Sequence, residues 1–243
     1  MVLLLVLSCS TDSASDCLQN SGEVIRKEIT IPNFSKITVF EKVGLVLKQG
    51  DVQKVEIETG ENLLDEVSAK VEGNRLILKN ENGCNLFRDY GLTTVYITSP
   101  LLSEIRSSTG EAIRSDGVLT YQNLELFSES FLDPEADTTD GEFNLQLDAQ
   151  NLSIVVNGIA YFKLTGKTEN LSLVIAAGDS RMEAEDLTAQ NIVLDHRGSN
   201  DMFINPRTSV MGVIRGVGDV ISFHRPDEVA VEERYKGKLI FKD

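Results

Sequence analysis

Apolar and polar residues alternate over short runs along most of the chain. Glu28-Ile-Thr-Ile31, Lys36-Ile-Thr-Val-Phe40, Gly44-Leu-Val-Leu-Lys48, Lys54-Val-Glu-Ile-Glu58 and Arg75-Leu-Ile-Leu-Lys79 are rich in β-branched residues and are punctuated by Gly, Asn or Asp. A period of two places the apolar set on one face of an extended backbone, so these runs predict half-buried β-strands. Gln49-Gly-Asp51 and Glu72-Gly-Asn74 have the composition of hairpin turns. The one helix candidate is Glu61–Val67, a turn or two long, with Asn62 placed to cap it.

From residue 123 onward the alternation is itself repeated. Asn123-Leu-Glu-Leu126, Asn151-Leu-Ser-Ile154, Asn170-Leu-Ser-Leu173 and Asn191-Ile-Val-Leu194 share one pattern, an Asn followed by two apolar residues flanking a spacer. Gly158, Gly178, Gly198 and Gly218 recur in phase with it. A period near twenty with short strands is the pattern of a stack in which each coil lies on the previous one, about 4.8 Å away. Leu171 and Leu173 are expected to face inward, on Leu152 and Ile154 below and under Ile192 and Leu194 above. The Gly column marks a corner that needs φ > 0, and the Asn column a corner with a side-chain ladder. The expected fold is all-β: a right-handed parallel β-helix-like stack of roughly 20-residue coils behind a more hairpin-like N-terminal part. The boundaries are 23–92 for that part and 93–243 for the coils. The charge-rich segment Val229–Asp243 is a candidate cap for one open end.

The first nine residues, ending Val6-Leu7-Ser8-Cys9, are apolar up to Ser8. At about 1.5 Å per residue they are too short to cross a bilayer as a helix. They have the form of a lipoprotein signal peptide ending at a lipobox, which makes Cys9 the lipidated residue and anchors the protein in the cell envelope, at the outer membrane. No Lys or Arg precedes the apolar run, which points to a start upstream of Met1. Residues 10–22 open with the polar, small-residue stretch Ser10–Asp16 and form a tether. Export puts Cys17 and Cys84 in an oxidising compartment. They are candidates for a disulfide that closes a long loop and stabilises by roughly 4 kcal/mol, with two free thiols as the alternative.

The composition is that of a globular protein: 41% hydrophobic and 25% charged residues. The formal charge of −15 repels phosphate backbones and argues against nucleic-acid binding. Aromatics make up 6%, with no Trp, which leaves few platforms for a sugar-cleaving cleft.

At this point the chain resembles a known family. Phe34-Ser-Lys-Ile-Thr-Val39, Val43-Gly-Leu-Val-Leu-Lys-Gln-Gly-Asp51, Val55–Leu64 and Gly73–Leu78 are similar to the opening of head GIN domains, and Gly216-Val-Gly-Asp-Val220 to their ending. The Gly-Ile-Asn triplet of that name falls on Gly44-Leu45-Val46, so only the Gly is kept. The resemblance implies a β-helical, envelope-anchored domain with an adhesin label and no catalytic residues to carry over.

Candidate chemistry is sparse. His196 follows Asp195, but neighbours on a strand face opposite ways, so no relay is expected; His196 and His224 read as surface residues. Neither a Gly-x-Ser-x-Gly nor a His-Glu-x-x-His pattern occurs. The acidic insertion holds Asp133, Glu135, Asp137, Asp140 and Glu142, which are candidate Ca²⁺ ligands or a solvated loop. Aligned on the glycines, Ile159, Asp179, Ser199 and Asp219 form a column with carboxylates only on alternate coils, poorly suited to acid–base work. The expectation is a non-catalytic binding or adhesion module for a glycan or protein ligand, without a cofactor. The alternatives are a structural component of the envelope and a polysaccharide-active enzyme. A binder would show a groove or would expose aromatics such as Phe127, Phe131, Tyr161 or Phe162; a structural part would show flat polar faces and an apolar end.

Overall fold

The structure is a computed structural model that describes residues 20–83, 91–132 and 136–242. Cys9, Cys17, Cys84, Asp133 and Glu135 therefore lie outside the described residues, as do residues 1–9, expected to be a signal peptide, and most of residues 10–22, expected to be a tether. The chain is all-β: among the described residues seventeen strands form one curled sheet. Among them, too, no helix is long and apolar enough to cross a membrane.

The second half repeats one unit. Strands β10 (Asn123–Ser128), β11 (Glu142–Val156), β12 (Tyr161–Ile175), β13 (Arg181–His196) and β14 (Met202–Ile214) pair in parallel, each with the next. Leu152, Leu171 and Ile192 are in register, as are Ile154, Leu173 and Leu194, and all six are buried. The inward stacking expected from the repeat is therefore present. Along the first half of the long strands a second inward column runs Phe143, Phe162, Met182 and Met202, with the first two rings stacked at 4.5 Å. Each fully buried side chain of this size contributes about 1.5–3 kcal/mol.

The glycine column has a different cause from the one expected. Of its four members only Gly178 has positive φ, +89°. At Gly218 the requirement is space, because a Cβ there would sit 2.0 Å from the Asn200 carbonyl oxygen.

The N-terminal part is only half hairpin-like. Strand β5 (Val67–Glu72) pairs antiparallel with β6 (Arg75–Asn80) across the predicted turn at Gly73. Strand β4 (Lys54–Gly60) lies antiparallel between β1 (Val24–Ile29) and β7 (Thr94–Ser99). Strands β2 (Lys36–Phe40) and β3 (Gly44–Gln49) instead enter the parallel stack. β2 lies between β6 and β8 (Glu104–Ser108), and β3 between β7 and β9 (Ala112–Leu119). Gln49-Gly-Asp51 thus joins β3 to β4, two strands that do not pair with each other. The helix candidate is a 3-10 turn, Glu61–Glu66, whose preceding residue is Gly60. Asn62 lies inside it and donates to the Asn20 carbonyl at 3.0 Å rather than capping.

The charge-rich C-terminal segment is not a separate cap. It supplies two of the last strands, β16 (Glu228–Glu233) on β14 and β17 (Leu239–Phe241) on the short β15 (Val220–Ser222). One apolar core runs without a break from Phe34 to Val220.

Candidate binding groove

Parallel, in-register strands place like residues one rung apart, and the Asn column shows the consequence. The Nδ2 of Asn151 donates to Asn123 Oδ1 at 2.7 Å, Asn170 to Asn151 at 2.8 Å, and Asn191 to Asn170 at 3.1 Å. Ser209 Oγ closes the series on Asn191 Oδ1 at 2.9 Å. Each carboxamide has two donor hydrogens and an oxygen with two lone pairs, so the ladder uses only part of its capacity. Beside it runs an outward column of Glu125, Ser153, Ser172, Val193 and Met211. Between the two columns lies an open groove of about 580 Å³, crossing four parallel strands from Asn123 to Asn191. Its walls are the Asn side chains on one side and Glu125, Ser153, Ser172 and Val193 on the other, over the edges of Leu124, Leu152 and Leu171. Four strands at about 4.8 Å give it a length of roughly 14 Å.

The acidic insertion is tied down at both ends. Thirteen residues separate Ser128 from Glu142, where four separate Val156 from Tyr161. Arg106, fully buried, forms an ion pair with Glu129, and its guanidinium lies 4.9 Å from the Phe127 ring centroid. The second Glu129 oxygen accepts from the Phe131 and Leu132 amides at 2.7 and 3.0 Å. Past the insertion, Ser108 Oγ accepts from the Asp137 and Thr138 amides. Asp140 accepts from the Thr138 hydroxyl at 2.5 Å, and Glu142 is already the first residue of β11. No three His, Cys, Asp or Glu side chains among the described residues are grouped to hold a metal ion.

The candidate aromatics are mostly not a platform. Phe162 is buried against Phe143, and Phe127 is buried beside Arg106. Tyr161 is partly buried and donates to Glu183 Oε2 at 2.5 Å. That bond, with burial, pushes its hydroxyl up to about 12. The Tyr161 and Arg181 bonds hold the Glu183 carboxyl below the usual range. Only Phe131 of the four is exposed. An aromatic pair that sequence reasoning missed is Phe203 and Phe223, 6.3 Å apart, with Lys242 over both rings and Arg181 over Phe203. Their spacing, which equals the repeat length, was the available signal.

His196 corrects the sequence reading outright. It is fully buried, in the inward column Val156, Ile175, His196, Ile214, with no hydrogen-bond partner for either ring nitrogen among the described residues. Burial lowers its pKa, against the opposing pull of the Asn200 and Gly218 backbone and of Asp201 and Asp219. Asp195 points the other way, accepting from Arg215 Nε at 3.2 Å, so the two neighbours do not face each other. His224 is partly buried. In the carboxylate column, Asp179 accepts from Ser199 Oγ at 2.7 Å and Asp219 from the Lys238 amide at 2.8 Å. Both side chains are engaged in joining one coil to the next.

The sequence profile of the family described as "Putative auto-transporter adhesin, head GIN domain" matches residues 33–226. Among solved structures, a putative adhesin from Bacteroides fragilis NCTC 9343 has a TM-score of 0.78 at 21% identity, covering 90% of this chain and 97% of its own. A putative lipid binding protein from Parabacteroides distasonis ATCC 8503 has a TM-score of 0.63 at 17% identity, covering 91% and 98%. A putative adhesin from Parabacteroides merdae ATCC 43184 has 0.57 at 18%, covering 91% and 97%. At these identities the likeness is one of fold. No curated protein matches the chain.

Proposed function

This chain belongs to the head GIN domain family, and from that membership we propose that it is a non-catalytic binding module of the cell envelope. We read the repeat as a right-handed parallel β-helix. The parallel registers support this, with Asn170 opposite Asn151 on one side and Asn191 on the other. We read Cys9 as the lipid anchor, on the strength of the lipobox. The ligand is an extended chain, a glycan or a stretch of protein, lying in the groove along the Asn ladder. The observation that carries this reading is the groove itself: an open channel with a regular column of partly unused carboxamides on one side and Glu125, Ser153, Ser172 and Val193 on the other. A linear ligand with its own hydrogen-bonding groups meets a carboxamide at every rung. The family's adhesin label is consistent with such a role.

The test uses the full chain with Cys9→Ser, to remove the lipid, on glycan and peptide arrays with and without Ca²⁺. A defined ligand class is expected, and Ser172→Arg, which fills the groove, should weaken binding at least about tenfold, a difference of about 1.4 kcal/mol. Binding that Ser172→Arg leaves untouched would remove the groove from consideration. Binding that depends on Ca²⁺ would shift attention to the insertion from Asp133 to Glu142.

A further inference from the structure

Among the described residues the last strands are β16 and β17. Among the described strands β16 pairs only with β14, and β17 only with β15, so one side of each backbone has no sheet partner. The side chains agree. Val210 and Val220 are fully buried, yet Val229, in register one rung above Val210, is 42% exposed. Leu239, one rung above Val220, is only partly buried, as is Val231. The apolar column arrives at this end without a roof.

At the opposite end two described strands are paired on one side only. On β5, which closes the far end of the column that β16 ends, the core-facing set Val67, Ala69 and Val71 is apolar and already partly buried against the core. Strand β1 is also paired on one side only, but the middle of its core-facing set is Lys27, which stands opposite Ile57. A charge at that position is a standard obstacle to a further strand. On β16 the core-facing set is Val229, Val231 and Glu233. Its one charge sits at the last position, where Lys238 Nζ and the Leu239 amide engage it at 2.8 and 2.9 Å. The middle of β16 is clear.

We propose that β16 is a docking edge for an extended strand of another protein, added as one more rung, in which Lys or Arg alternates with apolar residues. The alternation follows from β16. Glu228, Ala230 and Glu232 point outward; Glu228 favours a cation opposite it, Glu232 holds Arg234 at 2.6 Å in an exposed ion pair that an incoming cation can share or exchange, and apolar residues between them cover Val229 and Val231. A second copy of this chain fits poorly. Two β16 strands meeting would set Glu228, Glu232 and Glu233 against the same three, with only Arg234 and Lys238 to offset them, on chains that each carry −15.

The test measures fluorescence anisotropy of a labelled Lys-Val-Lys-Val-Lys-Val peptide with the full Cys9→Ser chain. A Lys-Lys-Lys-Val-Val-Val peptide has the same charge and composition without the alternation. The alternating peptide should bind about tenfold tighter or more. Val229→Lys should abolish that preference while leaving the thermal unfolding midpoint in place, because Val229 is already half exposed. Ser172→Arg, in the groove, should leave peptide binding unchanged, which separates this site from the groove. Equal binding of the two peptides, no binding of either, or indifference to Val229→Lys would each overturn the proposal. A dimer in sedimentation that Val229→Lys dissolves would assign the edge to a second copy instead.

Discussion

Strands β2 and β12 both lie in the parallel stack, but they find their neighbours in different ways. The second half of β12 sits between the coil just before it and the coil just after it, with Asn170 between Asn151 and Asn191. β2 sits between β6 and β8, with Lys36 between Arg75 and Glu104, both far along the chain. The repeat is therefore built from near neighbours, and the N-terminal part from long closures whose entropy must be recovered by specific contacts. The contacts differ accordingly. In the repeat, apolar columns and the Asn ladder hold each rung. In the N-terminal part, Glu104 on β8 accepts from Lys36 on β2 at 2.8 Å and from Arg75 on β6 at 2.6 Å. An apolar strand that slips by two residues still buries its apolar face. A carboxylate shared by cations on two other strands does not tolerate that slip. The comparison teaches that charge fixes the register where sequence distance cannot.

The sharpest way to break the comparison is in the repeat's core. Phe162→Ala removes one of two stacked rings and should cost about 3–5 kcal/mol in denaturant unfolding. A loss under about 1 kcal/mol would mean the columns do not carry the repeat. On the other side of the comparison, Glu104→Ala leaves Lys36 and Arg75 without their shared acceptor and should cost about 1–3 kcal/mol. Burial raises the Glu104 pKa, but Lys36 and Arg75 more than reverse this and hold the carboxyl below its ordinary value. Its contribution is thus present above the ordinary glutamate pKa and is lost as pH falls through the lower folded value. The gap between wild type and Glu104→Ala, measured by urea unfolding across pH, should narrow on acidification.

His196 titrates with the opposite consequence. Its folded pKa lies below its ordinary value, because burial penalises the cation. Stability should be flat above that ordinary value and fall as pH drops below it, by no more than about 1.4 kcal/mol per pH unit for one proton. His196→Leu should remove that component of the slope. A variant with an unchanged slope would place the acid sensitivity elsewhere. The smallest effect is expected at the groove: Asn170→Ala interrupts the exposed ladder and should cost about 0.5–1.5 kcal/mol, with most of its consequence in ligand binding.

These residues also show how far the sequence carries. Leu171 and Leu173 were legible because strand period and coil period agree on them. His196 was legible too: counting by twos from Ile192 and Leu194 puts it inward, and the general preference of histidine for surfaces misled the reading. Phe162 fails in the same way, since its inward phase is set by Leu164 and not by the aromatic type. The pairing of β2 with β8 was not legible, because the stretch of chain from Lys36 to Glu104 matches no visible repeat. Arg106 and Glu129 were hidden for another reason. Charged residues are buried only with a partner, and here the partner lies on a separate segment, just past the end of β10. In the candidate site the ladder was foreseen from the Asn column, whereas the groove beside it needed the outward residues of the neighbouring column.

The direction of the rungs has a mechanical consequence. The hydrogen bonds between strands run along the stack, and so does the line from the N-terminal end to β16. A pull applied between those ends loads one rung at a time instead of shearing all of them together. Under tension the molecule opens as a zipper does, from whichever end carries the load, and its mechanical strength is set by a single strand pair however many strands are joined.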